Sequence, residues 1–158
     1  MSLVVHTKRK SLAKMLRFPS FANNWRLSKR RKRGLRVFFD IRHIVQADLM
    51  DSELAAAEHL AKSKYLRAAG AVAGVVLERH LGQVCTDRQL TTAKKNPTIG
   101  DFNEALKAGN VLDIPQWRFI QHLADIRNIC DHAKTPEPTP DQVSDLLSGV
   151  KKVVKTVF

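Results

Sequence analysis

The sequence predicts an all-α domain, a bundle of four or five helices, preceded by a basic arm. Three observations predict it. From Phe38 onward apolar residues recur at three-to-four spacing. No stretch alternates apolar and polar residues as a half-buried strand would. Helix-start and helix-stop residues interrupt the periodic segments at regular intervals. The arm is expected over residues 1–36, disordered or partly helical and flexible, and the helical domain over residues 37–158.

The arm is defined by charge. The chain has 158 residues, enough for one domain with a real core. Residues 1–36 hold 12 of the 27 Lys and Arg and no acid, so the remainder carries 15 charges of each sign. Within the arm, "SKRRKRG" (Ser28–Gly34) is a like-charge block that favours polyanions. Arg30, Arg31, Lys32 and Arg33 are its candidate RNA contacts. Three readings of the arm stand open: a nucleic-acid contact, a targeting or nuclear signal, or the remnant of a longer upstream region.

The first helix is read in "DIRHIVQADLMDSELAAAEHLAKSKY", through Ile41, Ile44, Val45, Leu49, Leu54, Ala57, Leu60 and Ala61. Ser52 offers a cap for a break there. "YLRAAGAVAGVVLERHLGQVC" is apolar on nearly all sides, as expected of a central bundle helix. Its Ala68, Ala69, Gly70, Ala71, Ala73 and Gly74 would let neighbours approach closely. "TDRQLTTAKKNP" reads as a loop. Thr98 with Asp101 starts a third helix, and Gly109-Asn110 stops it. Asp113, before Ile114-Pro115, caps a fourth, which is expected to run through Trp117, Ile120, Leu123 and Cys130 to about Ala133. "TPEPTP" is a rigid linker, and Thr139-Pro140 with Gln142 opens the last helix.

Several function classes recede at this stage. No apolar run reaches the ~18 residues of a membrane span. His6, His43, His59, His80 and His122 are scattered, and no Cys/His set has ligand spacing, so neither metal nor cofactor is expected. Cys85 and Cys130 read as buried, reduced thiols, which suggests a reducing, cytoplasmic setting. No clear helix-turn-helix supports a transcriptional regulator.

The chemistry concentrates in "ADIRNICDHAK" (Ala124–Lys134). On a wheel of about 100° per residue starting at Trp117, Ile120, Leu123, Ala124 and Cys130 form an apolar stripe at about 220–340°, and Arg127 falls inside it at about 280°. A guanidinium there needs a carboxylate or a wet cleft. Asp131, four residues on, and Glu78 on the central helix are the candidate partners. One outcome is a buried Arg127–Glu78 pair with no chemistry. The other is a site: Arg127, Asn128 and His132 near a helix end, combining a phosphate-binding fork with a group that moves protons near neutral pH.

"RNICDH" (Arg127–His132) resembles the R-x4-6-H motif of HEPN domains, with a polar residue directly after the arginine. "YLRAAGAVAGVVLERHLGQVC", with its Glu78, resembles their small-residue-rich second helix, and "WRFIQHLADIRNICDH" their motif-bearing helix. The similarity covers roughly Val45 to Phe158. It implies a helical bundle that dimerises and joins two motifs in a cleft. It also implies a metal-independent ribonuclease of a toxin–antitoxin, abortive-infection or CRISPR-associated defence system. Arg127 would stabilise the phosphate, His132 would handle the proton and Asn128 would orient them, with Glu78 and Asp131 in support. Lys134 would touch RNA. Some HEPN toxins carry a tyrosine at that position, adenylylated by a partner nucleotidyltransferase, so that form of silencing is not implied here.

The function expected is therefore RNA cleavage by 2′-OH attack. The alternative is a non-catalytic HEPN dimerisation or nucleic-acid-binding module of a larger defence protein. RNA, a second copy of the chain and an antitoxin protein are the expected partners.

Overall fold

The computed structural model describes residue 41, residues 44–132 and residues 136–158. Arg30, Arg31, Lys32, Arg33 and Lys134 therefore lie outside the described residues. The chain divides into two compact units, Met1–Ile44 and Val45–Phe158. The second is all-helical, and no strand occurs among the described residues. Its helices are α1 (45–62), α2 (Leu66–Asp87), α3 (Ile99–Ala108), α4 (Ile114–Asp131) and α5 (Pro140–Thr156).

α1 passes through Asp51-Ser52 without a break. Met50, Leu54 and Ala57, at i, i+4 and i+7, are all buried, so one apolar stripe runs across the would-be cap and keeps the helix in register. α2 is the central helix, packed against α3, α4 and α5. Ala69, Gly70, Ala73, Gly74, Val76, Leu77, Leu81 and Val84 are buried along it. The core is completed by Leu106 of α3, Ile120 and Leu123 of α4, and Val143, Leu146 and Val150 of α5.

The sequence marks of helix starts act as expected. Thr98, Asp113 and Thr139 each form a capping box with the third residue on, Asp101, Gln116 and Gln142. The ends of α1, α2 and α3 share one geometry. Lys64 (φ 67°), Gln89 (φ 56°) and Asn110 (φ 55°) are left-handed. After each, the next residue's N–H reaches back five residues, as in Tyr65 to Leu60 O at 2.9 Å, Leu90 to Cys85 O at 2.8 Å and Val111 to Leu106 O at 2.9 Å. This is the Schellman closure. In α3 the left-handed position falls to Asn110, while Gly109 stays at φ −77°.

Two buried polar side chains tie elements together. His80 of α2 donates its Nε2–H to Val157 O at 2.9 Å, and burial pushes its pKa down, partly offset by that bond. Asn103 of α3 donates to Trp117 O of α4 at 3.0 Å. The Trp117 indole, half-buried at this seam, donates to Glu104 at 2.9 Å and lies under the Lys107 ammonium. Cys85 and Cys130 are buried free thiols, and burial raises both pKa values.

Candidate active site

The site is assembled where α4 runs antiparallel to α2 and ends over its first turns. One face of α2 carries Arg67, Gly70, Gly74 and Glu78, at three-to-four spacing. Each meets the last turns of α4.

Gly74 is where Arg127 lies. A Cβ at position 74 would stand 2.4 Å from Arg127 Cγ and 3.1 Å from its Nε. One turn earlier, a Cβ at Gly70 would stand 2.2 Å from Cys130 Sγ. The two glycines thus form a trough, and the arginine's alkyl stem fills half of it. This accounts for a guanidinium on an apolar stripe: the stem and Nε are packed and the end of the head reaches the edge, leaving the side chain 26% exposed.

At that edge the head meets two carboxylates and an amide. Nε lies 2.9 Å from Asp131 Oδ2, a charge contact in which the N–H is not aimed at the oxygen. Nη2 lies 3.7 Å from Glu78 Oε2, within ion-pair reach but beyond hydrogen-bonding distance. Nη1 donates weakly to Asn128 Oδ1 at 3.4 Å. Glu78 is itself 38% exposed, so the Arg127–Glu78 pair is a loose, half-wet one and not the buried pair that is one of the two outcomes the sequence leaves open. The cluster sets one positive charge against two negative ones. A phosphate entering here has to displace a carboxylate from the guanidinium.

α4 ends at Asp131, two residues before the expected stop at Ala133. His132 is the exposed C-cap, at φ −95° and ψ 116°, with its N–H on Asn128 O at 3.2 Å. Two causes act together. The proline at 136 has no N–H to give the carbonyl of residue 132, and it disfavours helix at the residue before it. The other cause is Arg67, at the second position of α2. Its Nη1 donates to Ile129 O at 3.2 Å, Cys130 O at 3.2 Å and His132 O at 2.9 Å. Its Nη2 reaches Pro136 O at 3.4 Å, and its Nε pairs with Glu137 at 3.0 Å.

Arg67 is the residue that sequence reasoning did not single out, while Gly74 was legible only as one of the small residues that admit a close neighbour. A signal for Arg67 existed. A cation in the first turn of a helix opposes that helix's own dipole, and α2 has no acid in that turn to offset it. The last turn of α4, where a cation is favourable, has none of its own. The arginine at the start of α2 fills the vacancy at the end of α4.

The structure therefore brings Arg127, Asn128, Asp131 and Glu78 into one contact group, with His132 at the terminus of the same helix. Comparison with protein-family models, with curated proteins and with solved structures gives no match to this chain.

Proposed function

We propose that the chain is a HEPN-type endoribonuclease that cleaves unpaired RNA without a metal, acting as a toxin or defence effector in the cytoplasm. The observation that carries this reading is the placement of Arg127. A glycine trough holds its stem, and its guanidinium is presented at the partly exposed edge beside Asn128, five residues before His132.

Arg127 and His132 lie about 7.5 Å apart along the helix axis and about 140° apart around it, so a fork of donors and an imidazole would meet one phosphodiester that wraps the end of α4, where the chain leaves the helix at His132. In the reaction the ribose 2′-oxygen attacks its own phosphorus, a base takes the 2′ proton, and the bond to the 5′-oxygen breaks as that oxygen gains a proton. The products are a 2′,3′-cyclic phosphate and a 5′-hydroxyl. His132 exchanges the protons and Arg127 neutralises the charge that builds on the phosphoryl oxygens. Two copies of the chain would supply one histidine as base and one as acid. Asp131 and Glu78 hold the guanidinium until the phosphate replaces one of them. Lys134 would add a cation that this net-negative cluster lacks, the arm would contact RNA, and an antitoxin protein would restrain the activity.

One observation favours a second reading. Arg127 already has two carboxylate neighbours within its own chain. In that reading it is a packing element, and the domain is a binding or dimerisation module of a larger defence protein.

The test is RNA cleavage in EDTA by identically prepared wild type, His132→Ala and Arg127→Ala proteins. The nuclease reading expects wild-type cleavage with cyclic-phosphate ends and a loss of at least about 100-fold in each variant. Absence of cleavage by all three, over structured and unstructured RNAs, establishes the second reading instead.

A further inference from the structure

The ribonuclease reading takes its reacting groups from α4 and its cap, yet His132 sits where α4 has already ended. What holds it there is on α2. We propose that Arg67 is a positioning residue for the reaction: by binding the carbonyls of Ile129, Cys130 and His132 it fixes the backbone from which the His132 imidazole reaches the phosphate. This inference rests on the ribonuclease reading.

The geometry of one guanidinium carries the argument. Three successive hydrogen bonds, at 3.2, 3.2 and 2.9 Å, converge on Nη1 from the last turn and the cap residue. In a continued helix the carbonyls of Ile129 and Cys130 would accept from residues four further on. Arg67 donates to both, so these acceptors at the end of α4 have a side-chain partner where the helix stops at Asp131. The same guanidinium reaches past the cap to Pro136 O at 3.4 Å and to Glu137. Both sides of the 133–135 segment are thus tied to one side chain.

The clamp is also registered against the rest of the site. Arg67 is three residues from Gly70, which seats Cys130, and seven from Gly74, which seats Arg127. Arg67, Gly70 and Gly74 share a face of a rigid helix, so the position of His132 is set relative to Arg127 through α2 as well as through α4. A lysine at 67 would keep the charge and lose the planar fork. The pair with Glu137 is peripheral, because Glu137 is 78% exposed and such pairs contribute little.

The experiment compares wild type, Arg67→Lys, Arg67→Met and Glu137→Gln. Single-turnover RNA cleavage is read beside the backbone and imidazole NMR shifts of His132, with thermal melting to establish folding. The inference expects Arg67→Met to lose 10-fold or more in kcat, with KM changed less than 2-fold and the His132 shifts displaced. Arg67→Lys should recover part of that loss, and Glu137→Gln should match wild type. Folded Arg67→Met with wild-type His132 shifts and kcat overturns it. So does a drop confined to KM, which would make Arg67 an RNA contact. Should Arg67→Met fail to fold, Arg67→Lys decides by the same kcat and shift criteria. Wild type that cleaves no RNA overturns the ribonuclease reading and the catalytic sense of the clamp with it, whereas displaced His132 shifts would still show the clamp as structure.

Discussion

Arg127 is held in place by the absence of a side chain opposite it. That makes the glycines of α2 sensitive positions in a graded way. A methyl at Gly70 would meet the buried Cys130 sulfur at 2.2 Å and its Cβ at 2.7 Å. Gly70→Ala should cost about 1–3 kcal/mol from overpacking, against a helix-propensity gain of about 1 kcal/mol, a net loss measurable as a lower urea midpoint. Gly100→Ala is the contrast, since its nearest neighbour would stand 3.8 Å away, so it should be neutral or slightly stabilising in the same titration. His80 supplies a pH dependence. Its folded pKa lies below the ordinary 6.5 because burial disfavours the imidazolium. Between that lowered value and about 6.5 the unfolded chain binds the extra proton, so stability falls as pH falls through this window. His80→Gln removes the titration, and its melting temperature should fall less than that of wild type between about pH 7.5 and 5.5.

Helix ends decide how α1 to α5 connect, and they were read from the sequence with unequal success. The starts were legible, because capping boxes are local: Thr98, Asp113 and Thr139 need only a partner three residues away. The ends of α1 and α2 were not, because Lys64 and Gln89 occupy left-handed positions that neither residue type advertises. Those two positions are open to improvement. Lys64→Gly and Gln89→Gly should each raise stability by up to about 1 kcal/mol, while Asn110→Gly should change little, since asparagine tolerates this conformation. Thermal melts of the three single variants check the ranking. Asp113→Ala, which removes the acceptor of the Gln116 N–H at 2.7 Å, should cost about 1 kcal/mol in the same series.

At the scale of the whole chain, charge is the organising feature. The 36 N-terminal residues carry twelve positive charges and the remainder is neutral, while the contact group around Arg127 holds an excess of negative charge. Affinity for RNA and chemistry at the site should therefore separate. Replacing Arg30, Arg31, Lys32 and Arg33 by Gln should flatten the plot of log affinity against log salt, by about one unit of slope per lost phosphate contact. Cleavage by that variant, at saturating RNA, should still depend on His132. A binding isotherm series at four salt concentrations measures the first effect. A slope unchanged by the four substitutions would remove the arm from RNA binding.

The sequence by itself determined the all-helical class, the central place of α2, the capped starts of three helices and the position of Arg127 on the inward stripe of α4. These follow from periodicity and from partners within four residues, which are local properties of a chain. Only the tertiary structure decided how a guanidinium is tolerated there, where α4 ends and what ends it. Gly74 lies 53 positions from Arg127, and Arg67 lies 65 positions from His132. Contacts of that span leave no periodic trace, because they exist only after α2 and α4 have packed and the missing side chains of two glycines have become a trough.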